Sequence, residues 1–113
     1  MRLDYGGSQS RPFITLSNGL GINLFLRATF ELEIKKLLIG DIPKVFEIGK
    51  VFRNEYIDDL HQPEFTVLET YCAYSTYNEM MQLMEILIRE VTRSINSTEK
   101  ISYQKNEIDL SKP

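Results

Sequence analysis

The chain is short of cysteine and histidine, holding one of each, and has no apolar run that approaches a membrane span. Each shortage excludes a class of function. Cys72 alone cannot close an intramolecular disulfide, and no Cys/His spacing of a zinc site occurs. The solitary His61 rules out a multi-histidine metal centre, and no Ser/His/Asp set has usable spacing. There is no Walker-type glycine loop, so a nucleotide here would not be held by a P-loop. The longest apolar stretches fall far below the roughly 20 residues that a membrane helix needs. Met1–Gly7 lacks the apolar core of a secretory peptide. The single thiol fits a reducing compartment, and a cytoplasmic protein with no membrane contact is the expectation. Charge of one sign is also scarce. A net charge of −3 exerts no global pull on nucleic acid, although it leaves room for a local basic patch. Internal repeats and low-complexity tracts are absent. What remains is 113 residues at 42% apolar and 26% charged, enough for one small ordered domain with a modest core.

Pattern and punctuation predict an α+β chain. Arg11–Thr15 and Ile22–Arg27 read as strands of a first hairpin around the turn at Ser17-Asn18-Gly19, with Pro12 confined to a strand start or an edge. A helix is predicted from an N-cap at Thr29 through Ile39, with Gly40 as C-cap and Pro43 preventing continuation. A central hairpin then spans about Lys44 to Tyr74. A second helix opens on a capping box, Thr76 with Glu79, and carries an apolar stripe through Tyr77, Met80, Met81, Met84, Leu87 and on to Ile95. The three methionines read as core filler. Residues 1–95 thus form the core unit, and 96–113 read as a polar, weakly ordered tail.

The central hairpin organises the rest. Side chains alternate along a strand, so odd positions place Glu47, Arg53 and Glu55 on one face of the first strand. On the second they place Phe65, Glu69 and Tyr71 on one face. If those faces coincide, an arginine, several carboxylates, an aromatic ring and a phenol stand together. The even positions, Phe46, Ile48, Phe52, Leu68 and Cys72, suit a core. A guanidinium offers a planar fork for phosphate, and a ring on the next strand offers a stacking surface for a base. Arg53, His61 and Phe65 would suit a nucleotide, while Glu69 and Tyr71 would suit a cationic or hydroxyl-rich second substrate. Surface ion pairs, a plain core phenylalanine and a solvated loop histidine are the competing reading. The residues alone leave the two readings even.

Phe52-Arg53-Asn54-Glu55, a loop, and His61-Gln62-Pro63-Glu64-Phe65-Thr66 resemble motif 2 of the class II aminoacyl-tRNA synthetases. Glu69-Thr70-Tyr71-Cys72-Ala73-Tyr74 resembles the lysyl-tRNA synthetase branch. So do Gly7-Ser8-Gln9-Ser10-Arg11-Pro12-Phe13-Ile14-Thr15 and Leu26-Arg27-Ala28-Thr29-Phe30-Glu31-Leu32. The resemblance covers about residues 5 to 95 in order and spacing. It implies a piece of the class II antiparallel sheet with flanking helices, and ATP-dependent formation of lysyl-adenylate followed by transfer of lysine to its tRNA. Arg53 would be catalytic, gripping the α-phosphate. Glu55, His61 and Phe65 would complete the ATP site, with Phe65 under the adenine. Gly7, Glu31, Glu69 and Tyr71 would bind lysine. Magnesium is implied with ATP, with no ligand for it in this chain. The family also implies a homodimer.

The sequence departs from the family pattern at Leu16-Ser17, at Phe30 where the family has proline, and at Gln62. The family's motif 3, its later acidic metal ligands, its motif 1 helix and its OB-fold anticodon domain do not occur in these residues. The isolated chain is therefore expected to be an incomplete catalytic domain, poorly soluble along an unpaired sheet edge. An elongation factor P–lysine ligase and a non-catalytic synthetase-like binding module are the alternatives. An aspartyl or asparaginyl enzyme fits Glu69 and Tyr71 less well.

Overall fold

The computed structural model describes residues 1–112, and the chain divides into two compact units, Met1–Ala73 and the segment from Tyr74 onward. In the first unit, β1 (Ile14–Ser17) and β2 (Ile22–Phe25) form an antiparallel hairpin, with Ile14 opposite Phe25 and Ser17 opposite Ile22. The strand begins later than the sequence predicts, because Arg11 is used elsewhere. Its carbonyl accepts the Asn54 N–H at 2.8 Å, tying the segment before β1 to the end of the central hairpin.

Helix α1 (Glu31–Ile39) follows. Its N-cap is Phe30, without a side-chain cap, and not Thr29 as the sequence predicts. Thr29 instead directs its hydroxyl across the fold to Glu69. At the other end the Gly40 N–H reaches the Lys36 carbonyl at 3.0 Å, and Asp41 takes the left-handed conformation at φ 63°.

β3 (Lys44–Phe52) and β4 (Glu64–Cys72) pair antiparallel over their full lengths, with Val45 opposite Tyr71, Glu47 opposite Glu69 and Val51 opposite Phe65. Odd positions therefore face odd positions, and the two candidate faces are one face. The core lies on that same face. Phe30, Ile34 and Val51 are fully buried, with Val45, Phe65, Val67 and Tyr71 packed around them. This overturns the placing of the core on the even positions. Phe46 is 69% exposed and Ile48 62%, and Leu68 is exposed with them. The physical reason is that α1 covers only one side of a two-stranded sheet, and it covers the side that carries the charges. Gly49 permits the close approach. A Cβ there would stand 2.9 Å from Arg27 Nη2 and 3.3 Å from the Phe30 ring.

In the second unit, α2 (Tyr77–Asn96) starts on the predicted capping box. The Thr76 N–H donates to Glu79 at 2.6 Å, and the Glu79 N–H donates to the Thr76 hydroxyl at 3.5 Å. Much of its apolar stripe is exposed, Met81 and Met84 included, so these two methionines do not fill a core. After α2 the segment read as a weakly ordered tail folds into a hairpin, β5 (Lys100–Tyr103) with β6 (Asn106–Asp109). Its two turn residues, Gln104 and Lys105, both have positive φ, as in type I′ turns. Ile101 faces Ile108 across the strands, and Lys100 pairs with Glu107 at 2.8 Å.

Candidate functional site

Arg53 is the first residue beyond β3, yet its backbone is held as firmly as the strand. Its N–H donates to the Pro63 carbonyl at 2.8 Å, and the neighbouring Asn54 N–H is taken by Arg11. The side chain lies over Phe65, with the guanidinium carbon 5.1 Å from the ring centre, and Nε faces the Ala28 carbonyl at 3.4 Å. From here a cleft of about 300 Å³ opens, lined by Arg53, Glu55, Tyr56, Leu60, His61, Gln62 and Phe65. All four residues predicted for the nucleotide thus border one cavity.

The loop along that cavity is fixed by its own chemistry. The Asp58 carboxylate accepts the N–H groups of Leu60 and His61, both at 2.8 Å, and meets His61 Nδ1 at 2.8 and 2.9 Å. These bonds hold the Asp58 carboxyl below its ordinary pKa, the Leu60 N–H first and the His61 side chain next. Tyr56 and Leu60 were not singled out in the sequence, and Gln62 was noted only as a departure from the family pattern. Asp58, three residues before His61, was legible as a turn former.

Further along β4 lies an acidic corner. Glu69 Oε1 accepts the Thr29 hydroxyl at 2.6 Å and the Phe30 N–H at 3.2 Å, while Oε2 accepts the Tyr71 hydroxyl at 3.3 Å. Burial, then the charges of Glu69 and Glu31, then the bond to Glu69 push the Tyr71 phenol up to about 12. Of the two carboxylates, Glu69 is bound to this phenol directly. Gly7, at φ 77°, completes the corner: a Cβ there would come within 3.2 Å of the Glu31 Cβ and 3.0 Å of Thr29 Cγ2. Glu31 also pairs with Lys35 one turn on, at 2.5 Å. Glu47, which shares the odd face, takes no part here. It is bound to Arg27 at 3.0 Å, and Arg27 in turn lies over the Phe30 ring.

An arginine-and-aromatic cleft and an acidic, phenol-lined corner on one hairpin face form a two-part site. Sequence comparison gives the family. The profile of the tRNA synthetases class II (D, K and N) matches residues 2–113. The chain belongs to that family. Among the curated class II relatives it matches are a lysine–tRNA ligase of Thermoanaerobacter, 51% identical over 96% of this chain and 22% of that protein, and one of Chloroflexus aurantiacus, 49% identical over the same shares. A chloroplastic/mitochondrial lysine–tRNA ligase of Arabidopsis thaliana is 45% identical, over 96% of this chain and 18% of that protein. The chain spans about a fifth of the length of these relatives. Among the described residues no three His, Cys, Asp or Glu side chains converge on a metal position. No helix among the described residues is long and apolar enough to cross a membrane.

Proposed function

We propose that this chain supplies the ATP and lysine contacts of a lysine–tRNA ligase. The observation that carries the reading is the acidic corner, where Glu69 accepts the Thr29 hydroxyl, the Phe30 N–H and the Tyr71 phenol, with Glu31 bound to the same Thr29 hydroxyl through its N–H. Glu31 is paired with Lys35, whereas Glu69 is partly buried and has no ion pair among the described residues, so a substrate ammonium would relieve its desolvation cost. A neutral or acidic side chain would leave it unpaired. That favours lysine over the aspartate and asparagine of the same family. The relatives named lysine–tRNA ligase support the same choice.

The first half-reaction then needs only positioning and charge. The lysine carboxylate oxygen attacks the α-phosphorus of ATP, a C–O–P linkage forms, and the bond to the β-phosphate oxygen breaks to release pyrophosphate. Arg53, anchored through Pro63 and Ala28, holds the α-phosphate and takes up the charge that builds there. Phe65 stacks the adenine, Glu55 lines its edge, and His61, held by Asp58, faces the outer phosphates. Glu69 and Tyr71 take the lysine side chain, and Glu31 with the Gly7 backbone takes its α-amino group. Transfer to lysine tRNA, the homodimer and a cytoplasmic setting belong to the whole enzyme.

An amide-resolved NMR titration of the chain with L-lysine, L-aspartate and L-asparagine tests this. Lysine should shift the amides of Phe30, Glu31 and Tyr71, and the other two should not. Equal response to all three amino acids would refute the reading.

A further inference from the structure

Thr29 was read from the sequence as a helix cap, and the structure gives it another task. Its hydroxyl is the centre of a directed chain. The Glu31 N–H donates to Thr29 Oγ1 at 3.2 Å, and that hydroxyl donates its single proton to Glu69 Oε1 at 2.6 Å. The residue is buried, at 6% exposure, so water does not substitute for either partner. Its methyl group faces the position a Gly7 side chain would occupy, 3.0 Å away. Three of the four residues assigned to lysine, Gly7, Glu31 and Glu69, therefore meet at this one side chain.

The proton count makes the arrangement one-directional. A backbone N–H can only donate and an ionised carboxylate can only accept, so the hydroxyl between them has one orientation. Each bond in such a chain polarises the next. Glu69 Oε1 also takes the Phe30 N–H at 3.2 Å. Oε1 is thus engaged from behind by two donors. Oε2, which among the described residues meets the Tyr71 hydroxyl at 3.3 Å, is the oxygen left for a substrate cation.

We infer that Thr29 is a positioning residue for amino-acid selection: its hydroxyl fixes the rotamer of Glu69 and turns Oε2 toward the substrate ammonium. This rests on the reading of Glu69 as the group that recognises lysine. Thr29 does not itself touch the substrate.

The test is lysine affinity, measured by NMR titration of the full 113-residue chain, with L-norleucine as the uncharged analogue and ATP as a second ligand. Thr29→Val keeps the shape and removes the hydroxyl, and Thr29→Ser keeps the hydroxyl. Thr29→Val should weaken lysine binding roughly ten- to hundredfold, the loss associated with one hydrogen bond to a charged group. Thr29→Ser should stay within about threefold of the wild type, since it retains that bond. ATP affinity should not move in either variant, whereas a general loss of structure would lower both. Glu69→Gln separates the two levels of the reading. If Glu69→Gln abolishes selection of lysine over norleucine while Thr29→Val leaves it intact, the positioning role is wrong and the lysine site stands. If Thr29→Ser is as damaged as Thr29→Val, the hydroxyl is not the active feature. If the wild type does not select lysine over norleucine, or Glu69→Gln has no effect, the lysine site itself falls and this inference with it.

Discussion

The guanidinium carbon of Arg53 stands 5.1 Å from the centre of the Phe65 ring. The two residues come from opposite ends of the hairpin loop, Arg53 just after β3 and Phe65 at the start of β4, and the register brings them together. A base entering the cleft meets a ring that already carries a cation on one face. Stacking a base on an aromatic ring contributes about 1–3 kcal/mol. Phe65→Leu should therefore weaken ATP binding roughly five- to hundredfold with lysine affinity unchanged. Isothermal titration with each ligand separately checks this, and a matching loss for lysine would mean that the hairpin itself is disturbed.

Asp58 gives a pH dependence of known sign. The folded-state pKa of Asp58 is depressed, so its contribution is present above the ordinary carboxylate value of 3.8 and is lost as pH falls through the lower folded value. Acidification should release the Leu60 and His61 amides together, seen as a joint shift in amide NMR spectra. Asp58→Asn keeps an acceptor for those amides and should hold the loop without that acid transition. Asp58→Ala should leave both amides exposed at every pH.

Tyr71 moves in the opposite sense. Its folded pKa is raised from 10.0 to about 12, so it stabilises the fold fully below pH 10 and loses that contribution as pH rises through about 12. Ultraviolet titration of phenolate should show one tyrosine ionising late. Tyr71→Phe should remove that late step, and Glu69→Gln should move it down toward the ordinary range.

Gly49 is where the fold tolerates no side chain. A Cβ would press on Arg27 Nη2 at 2.9 Å and on the Phe30 ring at 3.3 Å. Gly49→Ala should cost about 1–3 kcal/mol through overpacking. Urea denaturation of the chain reads the loss directly, and an unchanged midpoint would show that Arg27 swings clear without cost.

Much of this was legible in the sequence, and the parts that were not have identifiable physical causes. Period-two alternation between Val45 and Tyr74 placed Arg53, Phe65, Glu69 and Tyr71 on one face; the observed register keeps Phe65, Glu69 and Tyr71 there, while Arg53 lies one residue beyond β3 and meets Phe65 from the loop. The same alternation misplaced the core, because it cannot say which face a neighbouring helix covers. Phe46 and Ile48 look like core residues but lie open, while Val51 and Phe65 are packed beneath Phe30. The β5–β6 hairpin escaped notice because Gln104 and Lys105 adopt positive φ without the glycine or asparagine that usually marks such a turn. Thr29 had an obvious local use as a cap, and only the tertiary fold brings Glu69 within 2.6 Å of its hydroxyl.

The most direct test of the central claim is lysine-dependent ATP–pyrophosphate exchange by a chimera. Residues 2–113 would replace the matching stretch of the Thermoanaerobacter lysine–tRNA ligase, with and without Arg53→Ala. The prediction is exchange that requires lysine and falls by about 100-fold or more in the Arg53→Ala chimera, the scale for losing a group that stabilises developing charge. A folded chimera without exchange, or with exchange indifferent to Arg53, would contradict the assignment of this hairpin as the adenylate-forming site.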